Sequence, residues 1–251
     1  MESVHAYLLV TLRSKLLAMK IGIVIAMDKE FQRIKQLLSG IEETQVGGKT
    51  FVTGTIGPNE IVLSQCGIGK VNAAVDAAEL IDRFAPHAVI STGVAGGASI
   101  ALETQEVVVS TEACYHDAYC GEEQQLGQIM GLPARFAANR QLLDKAKTLD
   151  CGTKVTPGLI VTGDWFVDSR EKMQSILDAF PDAMAVDMES AAIAHVCHLR
   201  GVPFISFRII SDIPLKDNKA AQYFDFWDRM ADNSFGVTKA FLESLQLQGD
   251  N

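Results

Sequence analysis

Short apolar runs rich in β-branched residues alternate along the chain with segments whose apolar positions recur every three to four residues. That alternation is the signature of βαβ units packed on a parallel sheet. The runs Ile21–Ala26, Ile61–Leu63, Ala88–Ile90, Val107–Val109, Leu159–Val161 and Phe204–Phe207 are continuous, so they predict strands covered on both faces. Helices are predicted at about Lys29–Leu38, Val71–Phe84, Arg140–Leu149, Arg170–Phe180, Glu189–Arg200 and Phe226–Leu245. Pro86 and Pro203 stand just ahead of strands, where they stop the preceding helix without removing a ladder donor. Glycine-rich joints at Gly67–Gly69 and Gly93–Gly97 follow strand ends, the edge at which open α/β sheets bind ligands. No repeat, low-complexity tract or linker interrupts residues 19–251, which read as one domain. Met19 opens directly onto the first strand, so residues 1–18 read as an N-terminal extension ahead of a native start; the alternative is a weak targeting segment.

Composition narrows the partners. A length of 251 residues, 48% hydrophobic and 21% charged, is enough apolar material for one sizeable core. A net charge of -9 and a pI near 5.0 repel phosphate backbones and argue against nucleic acid. Five scattered cysteines without a C-x-x-C pair give neither a disulfide framework nor a zinc site and fit a reducing, cytoplasmic setting. No run reaches the roughly 18 apolar residues of a membrane helix.

Four joints carry candidate chemistry. Thr92–Gly97 lets backbone approach a ligand closely, but it has neither dinucleotide spacing nor a P-loop lysine; a tight strand-to-helix turn is the bland alternative. At Ala185–Ser190, Asp187 and Glu189 flank Met188 where a strand meets a helix. The helix dipole alone accounts for acids there, or one of them accepts hydrogen bonds from two ribose hydroxyls. Asp212, closing the strand that begins near Arg208, either starts a turn or acts as a general acid. Glu30, after Met27 at the end of the first strand, is either a solvated helix-start glutamate or a group pointing into the same crevice.

Seven collinear segments resemble one family. Met19–Met27 with Glu30, Cys66–Ala74, Thr92–Gly97, Glu112–Ala118, Gly163–Phe166, Val186–Glu189 and Arg208–Asp212 together are similar to the 5′-methylthioadenosine/S-adenosylhomocysteine nucleosidases, from Met19 to about Leu245. The resemblance implies a three-layer α/β/α, nucleoside phosphorylase-like fold with a mixed sheet. It implies hydrolysis of an N-glycosidic bond to adenine and a thioribose, without cofactor or metal, by a homodimer. By position Glu30 resembles the water-activating base and Asp212, beside Ser211, the acid that protonates adenine N7. Glu189 corresponds to the ribose carboxylate and Arg208 to the cation beside it. Phe166 corresponds to the ring stacking on adenine, Val167 to its backbone contact, Met188 to the ribose floor and Ile68 to the 5′ wall. Val94, Ala95, Gly96 and Met27 complete the implied pocket, and Phe224 is expected to cover the adenine.

Departures from the family pattern are specific. Val94 stands where serine is common, Asp187 replaces the more usual glutamate, and Cys120, Glu122, Glu123 and Met130 occupy a loop that normally lends an aromatic and a proline to the partner's 5′ pocket. A phosphorylase of the same fold is the first competing reading, but Ser91 and Val94 sit where phosphorylases place arginine and serine. A non-catalytic nucleoside binder is the second; it has no need of both a water base and a purine acid. His116 with Asp117 reads as structural or interfacial, and His195 with His198 as a helical pair lacking the further ligands a metal requires.

Overall fold

The computed structural model describes residues 18–216, 226 and 235–247. Its elements in chain order are β1 (Lys20–Ile25), α1 (Asp28–Lys35), β2 (Ser39–Val46), β3 (Lys49–Ile56), β4 (Asn59–Gln65), α2 (Lys70–Phe84), β5 (Ala88–Gly97), β6 (Val107–Tyr115), β7 (Phe136–Ala137), α3 (Arg140–Lys147), β8 (Val155–Thr162), α4 (Arg170–Ala179), β9 (Ala183–Asp187), α5 (Ser190–Arg200), β10 (Phe204–Asp212) and α6 (Gly236–Ser244). All six apolar runs are strands, and helices cover both faces, giving the three-layer architecture. β10 is buried at every position, as its unbroken apolar run requires.

The sheet is mixed, as the family resemblance implies; the apolar periodicity by itself reads only its parallel part. Tight turns bearing positive-φ Gly47, Gly48 and Gly57 fold β2, β3 and β4 into an antiparallel meander. β1 then pairs in parallel with β4 and with β5. The pairings β5–β10, β10–β6, β6–β8, β8–β9 and β9–β5 close a ring of five strands.

One consequence of this topology creates the crevice. Along the edge of β5, residues 88–91 pair with β1, whereas Gly96 and Gly97 pair with β9. The neighbours diverge there, and the carboxyl ends of β1, β5, β9 and β10 surround a gap. Of the helix expected over Phe226–Leu245, the described residues show α6 (Gly236–Ser244) and Phe226, which is buried.

Candidate active site

The gap holds a cavity of about 150 Å³. β1 and α1 contribute Ala26, Met27 and Glu30, the joint after β4 contributes Ile68, and β5 contributes Val94, Ala95 and Gly96. The loop after β8 contributes Trp165, Phe166 and Val167; β9 and its exit give Val186, Asp187, Met188 and Glu189; β10 gives Arg208, Ser211 and Asp212. Every site residue expected from the sequence therefore lines one cavity, except Phe224, which lies outside the described residues. Trp165 was not foreseen; its place directly before Phe166, in the segment that leaves β8, was the available signal.

Glu30 is no solvated helix-start acid, for only 1% of it is exposed. Its Oε1 accepts the Val94 N–H at 2.7 Å and its Oε2 the Met27 N–H at 3.1 Å. Burial pushes its pKa up to about 7, against the opposing pull of these N–H groups and of Arg208. A Cβ at Gly93 would lie 2.8 Å from both Glu30 Oε1 and Arg208 Nη1, so glycine is what lets these two groups converge over β5. The backbone N–H of Val94 makes the contact with Glu30, so it does not depend on the side chain that departs from the family.

Arg208 is the charged centre of the site. Its Nε lies 2.7 Å from Asp187 Oδ2 and donates to Ser190 Oγ at 3.1 Å, while Nη2 donates to Ser91 Oγ at 2.7 Å and lies 3.8 Å from Glu189 Oε2. Burial alone would lower its pKa, but the charges of Asp187, Glu189 and Glu30 raise it, and the guanidinium stays ionised. Asp187 takes the helix-start role that its position allowed. Besides pairing Arg208, it accepts from Thr162 Oγ1 at 2.5 Å and from the Ser190 N–H at 3.2 Å at the start of α5.

Glu189, the residue just before α5, accepts the Gly69 N–H at 3.0 Å through Oε1. Burial raises its pKa, with Arg208 pulling the other way. Asp212 reaches the cavity through a β-bulge. Ile210 pairs with Ala95 and Asp212 with Gly96, leaving Ser211 as the extra residue that turns the strand end toward the gap. Ser211 Oγ then donates to Asp212 Oδ1 at 2.6 Å. At the mouth, Ile68, Trp165 and Phe166 are each more than half exposed, an apolar rim above a charged floor.

The phosphorylase superfamily model matches residues 20–243. A 5′-methylthioadenosine/S-adenosylhomocysteine nucleosidase of Desulfotalea psychrophila is 37% identical over 231 residues, 91% of this chain and 99% of that one. The chain belongs to the 5′-methylthioadenosine/S-adenosylhomocysteine nucleosidase family. A nucleosidase of the same description from Staphylococcus aureus is 38% identical over 90% of this chain and all of its own length. Among solved structures, the S-adenosylhomocysteine nucleosidase of Streptococcus pyogenes in complex with 5-methylthiotubericidin superposes with a TM-score of 0.84 at 34% identity, covering 92% of this chain and 98% of that one. The Neisseria meningitidis nucleosidase in complex with methylthio-immucillin-A gives 0.84 at 35% identity, covering 90% and 99%.

The remaining candidates of the sequence sit elsewhere. His195 Nδ1 lies 3.0 Å from the Tyr115 hydroxyl, and its ring stacks on Phe136 at 5.0 Å, so aromatic packing takes up the histidine pair. His116 packs its ring against the backbone of Gly163, while Asp117 turns to Lys70. Glu122 and Glu123 are exposed and do not line this protomer's cavity. Among the described residues, no helix is long and apolar enough to cross a membrane.

Proposed function

We propose that the chain hydrolyses the N-glycosidic bond of 5′-methylthioadenosine and S-adenosylhomocysteine, with Glu30, Glu189 and Asp212 in the working roles. The observation that carries this is the convergence of three carboxylates, delivered by separate parts of the chain, around one cavity with an apolar rim. Adenine stacks on Phe166 and meets the backbone of Val167, the ribose hydroxyls bind Glu189 above Met188, and the 5′ sulfur lies toward Ile68. As C1′–N9 lengthens, the ribose gains positive charge and the purine negative charge. Asp212 gives its proton to N7, and the carboxylates beside the ribose offset the charge on the sugar. Glu30 takes a proton from water as the water oxygen bonds to C1′. Each acid–base contribution is typically about 10²–10⁴-fold, so the pair could supply several kcal/mol of barrier lowering at about 1.4 kcal/mol per tenfold.

Water rather than phosphate is the acceptor because, among the described residues, Arg208 is the one Lys or Arg lining the cavity, and it is already held by Asp187, Ser91 and Ser190. A phosphate dianion would meet a floor in which carboxylates outnumber cations. Incubation with methylthioadenosine tests the reading: adenine and free methylthioribose are expected without phosphate. Adenine release that requires phosphate, with a ribose 1-phosphate as co-product, would establish a phosphorylase instead.

The assembly we propose is a homodimer placing the 117–133 region near the partner's 5′ pocket. Supporting this, Val71 and Val75 stand one turn apart on α2 with 73% and 54% of their surfaces exposed. Sedimentation of an active enzyme as a monomer at micromolar concentration would refute it.

A further inference from the structure

Three segments rim the cavity mouth, and one cation joins them. Lys70 Nζ lies 2.7 Å from both carboxylate oxygens of Asp117 and 3.8 Å from Asp164 Oδ2. The Lys70 N–H donates to Asp164 Oδ1 at 2.8 Å, and the Asp164 N–H donates to Asp117 Oδ2 at 2.9 Å. Burial alone would raise the Asp117 pKa, but these bonds win and hold it below the ordinary carboxylate value. Lys70 opens α2, Asp117 follows β6, and Asp164 follows β8; the β6–β8 ladder runs out at Tyr115 and Thr162, and the cluster ties the start of α2 to the two segments that leave it.

None of the three charged groups lines the cavity, yet their neighbours do. Ile68 precedes Lys70 by two residues, and Trp165 and Phe166 follow Asp164 directly. Between them, Gly69 aims its N–H at Glu189, with a φ of 101° that a side chain would strain. The cluster therefore fixes the 5′ wall, the stacking wall and one donor to the ribose carboxylate without touching an occupant.

We propose that Lys70 is a positioning residue: its ammonium, bridging Asp117 and Asp164, sets the width of the mouth between Ile68 and Phe166 and thereby the affinity for the nucleoside. The inference rests on the nucleosidase reading above. It concerns binding more than folding, because Lys70, Asp117 and Asp164 retain 25%, 28% and 47% side-chain exposure, where ion pairs add little to global stability. It also predicts a salt effect. Methylthioadenosine carries no net charge at neutral pH, so ionic strength should reach its KM chiefly by screening the clamp.

The test is steady-state adenine release from methylthioadenosine by Lys70→Met, Asp117→Asn and the double variant, at low and high salt, with melting temperatures alongside. KM should rise about tenfold in each single variant with kcat changed by less than about threefold, the pattern of lost uniform binding. The double variant should be no worse than either single one, because both cut the same link. Added salt should raise the wild-type KM and leave that of Lys70→Met unmoved, and Lys70→Arg should recover most of the affinity. An unchanged KM in Lys70→Met beside an active wild type would overturn the proposal. So would a fall in kcat and melting temperature with KM unaltered, since that marks a purely structural residue. A wild-type protein that releases no adenine would sink the nucleosidase reading itself.

Discussion

Replacing Glu30 with glutamine should cost activity and, at alkaline pH, return stability. A carboxyl whose folded pKa is raised from 4.5 to about 7 favours the folded state most when protonated. Its contribution is full below the unfolded value and is lost as pH rises through the folded one. Integrating between about pH 5 and about pH 8, ionising buried Glu30 should take about 2–3 kcal/mol from the wild type that Glu30→Gln does not lose. Glutamine offers one acceptor oxygen to the two N–H groups of Val94 and Met27, so the variant leaves one of them unpaired. That cost is the same at both pH values and cancels in the comparison, as does most of the titration of Glu189. Urea unfolding of both proteins at the two pH values and one protomer concentration provides the measurement. In parallel, wild-type kcat/KM should fall as pH drops below about 7, and the variant should lose about 10²–10⁴-fold in turnover while still binding nucleoside. If the stability difference between the two proteins is the same at both pH values, Glu30 is not a desolvated carboxyl and its assignment as a tuned base fails.

Asp212→Asn should retain nucleoside binding and lose about 10²–10⁴-fold in kcat, because an amide cannot protonate N7; wild-type turnover would remove Asp212 from its role. Deleting residues 1–18 should leave activity and melting temperature unchanged, since the Met19 nitrogen keeps its 2.7 Å bond to Asn59 Oδ1; a drop of several degrees would show that the extension packs on the domain. S-adenosylhomocysteine should be cleaved about as efficiently as methylthioadenosine, and Glu122→Ala with Glu123→Ala should shift preference toward methylthioadenosine by roughly two- to tenfold, the worth of one or two exposed ion pairs to the substrate ammonium. An unmoved ratio of kcat/KM values would place that loop away from any 5′ pocket.

Strands that run as unbroken apolar stretches were legible in the sequence; β3 was not, although Phe51, Val52 and Ile56 on it are buried, because Thr53, Gly54 and Thr55 interrupt the run. β1, β5, β8 and β10 announce themselves as unbroken apolar runs because both of their faces are covered. β2 is exposed along nearly its whole length, so Glu42, Glu43 and Gln45 carry no period and the edge hairpin with β3 went unread. Within the site, the acids stood out because charges at strand ends are rare. The serines that orient Arg208 did not: Ser91 and Ser206 lie inside apolar runs and Ser190 opens an alanine-rich helix, so each looks like an incidental small residue. Only the fold brings Ser91 and Ser190 to the guanidinium, with Ser206 bonded to Ser190 behind it. The bulge at Ser211 was equally hidden, because the extra residue becomes visible only against its partner strand.

The ring of five strands has a bearing on how the protein breathes. Phe207, Arg208 and Ile209 are bonded to β5 on one side and β6 on the other, so no terminal strand can peel away and take Arg208 with it. Opening the charged floor means breaking a closed ladder, which sets those amides among the last to exchange with solvent, at a free energy near that of global unfolding. β2, with solvent along one side, sits at the opposite end of that scale. Substrate entry and product exit are therefore left to the rim loops, and fluctuations that admit a nucleoside need not disturb the groups that act on it.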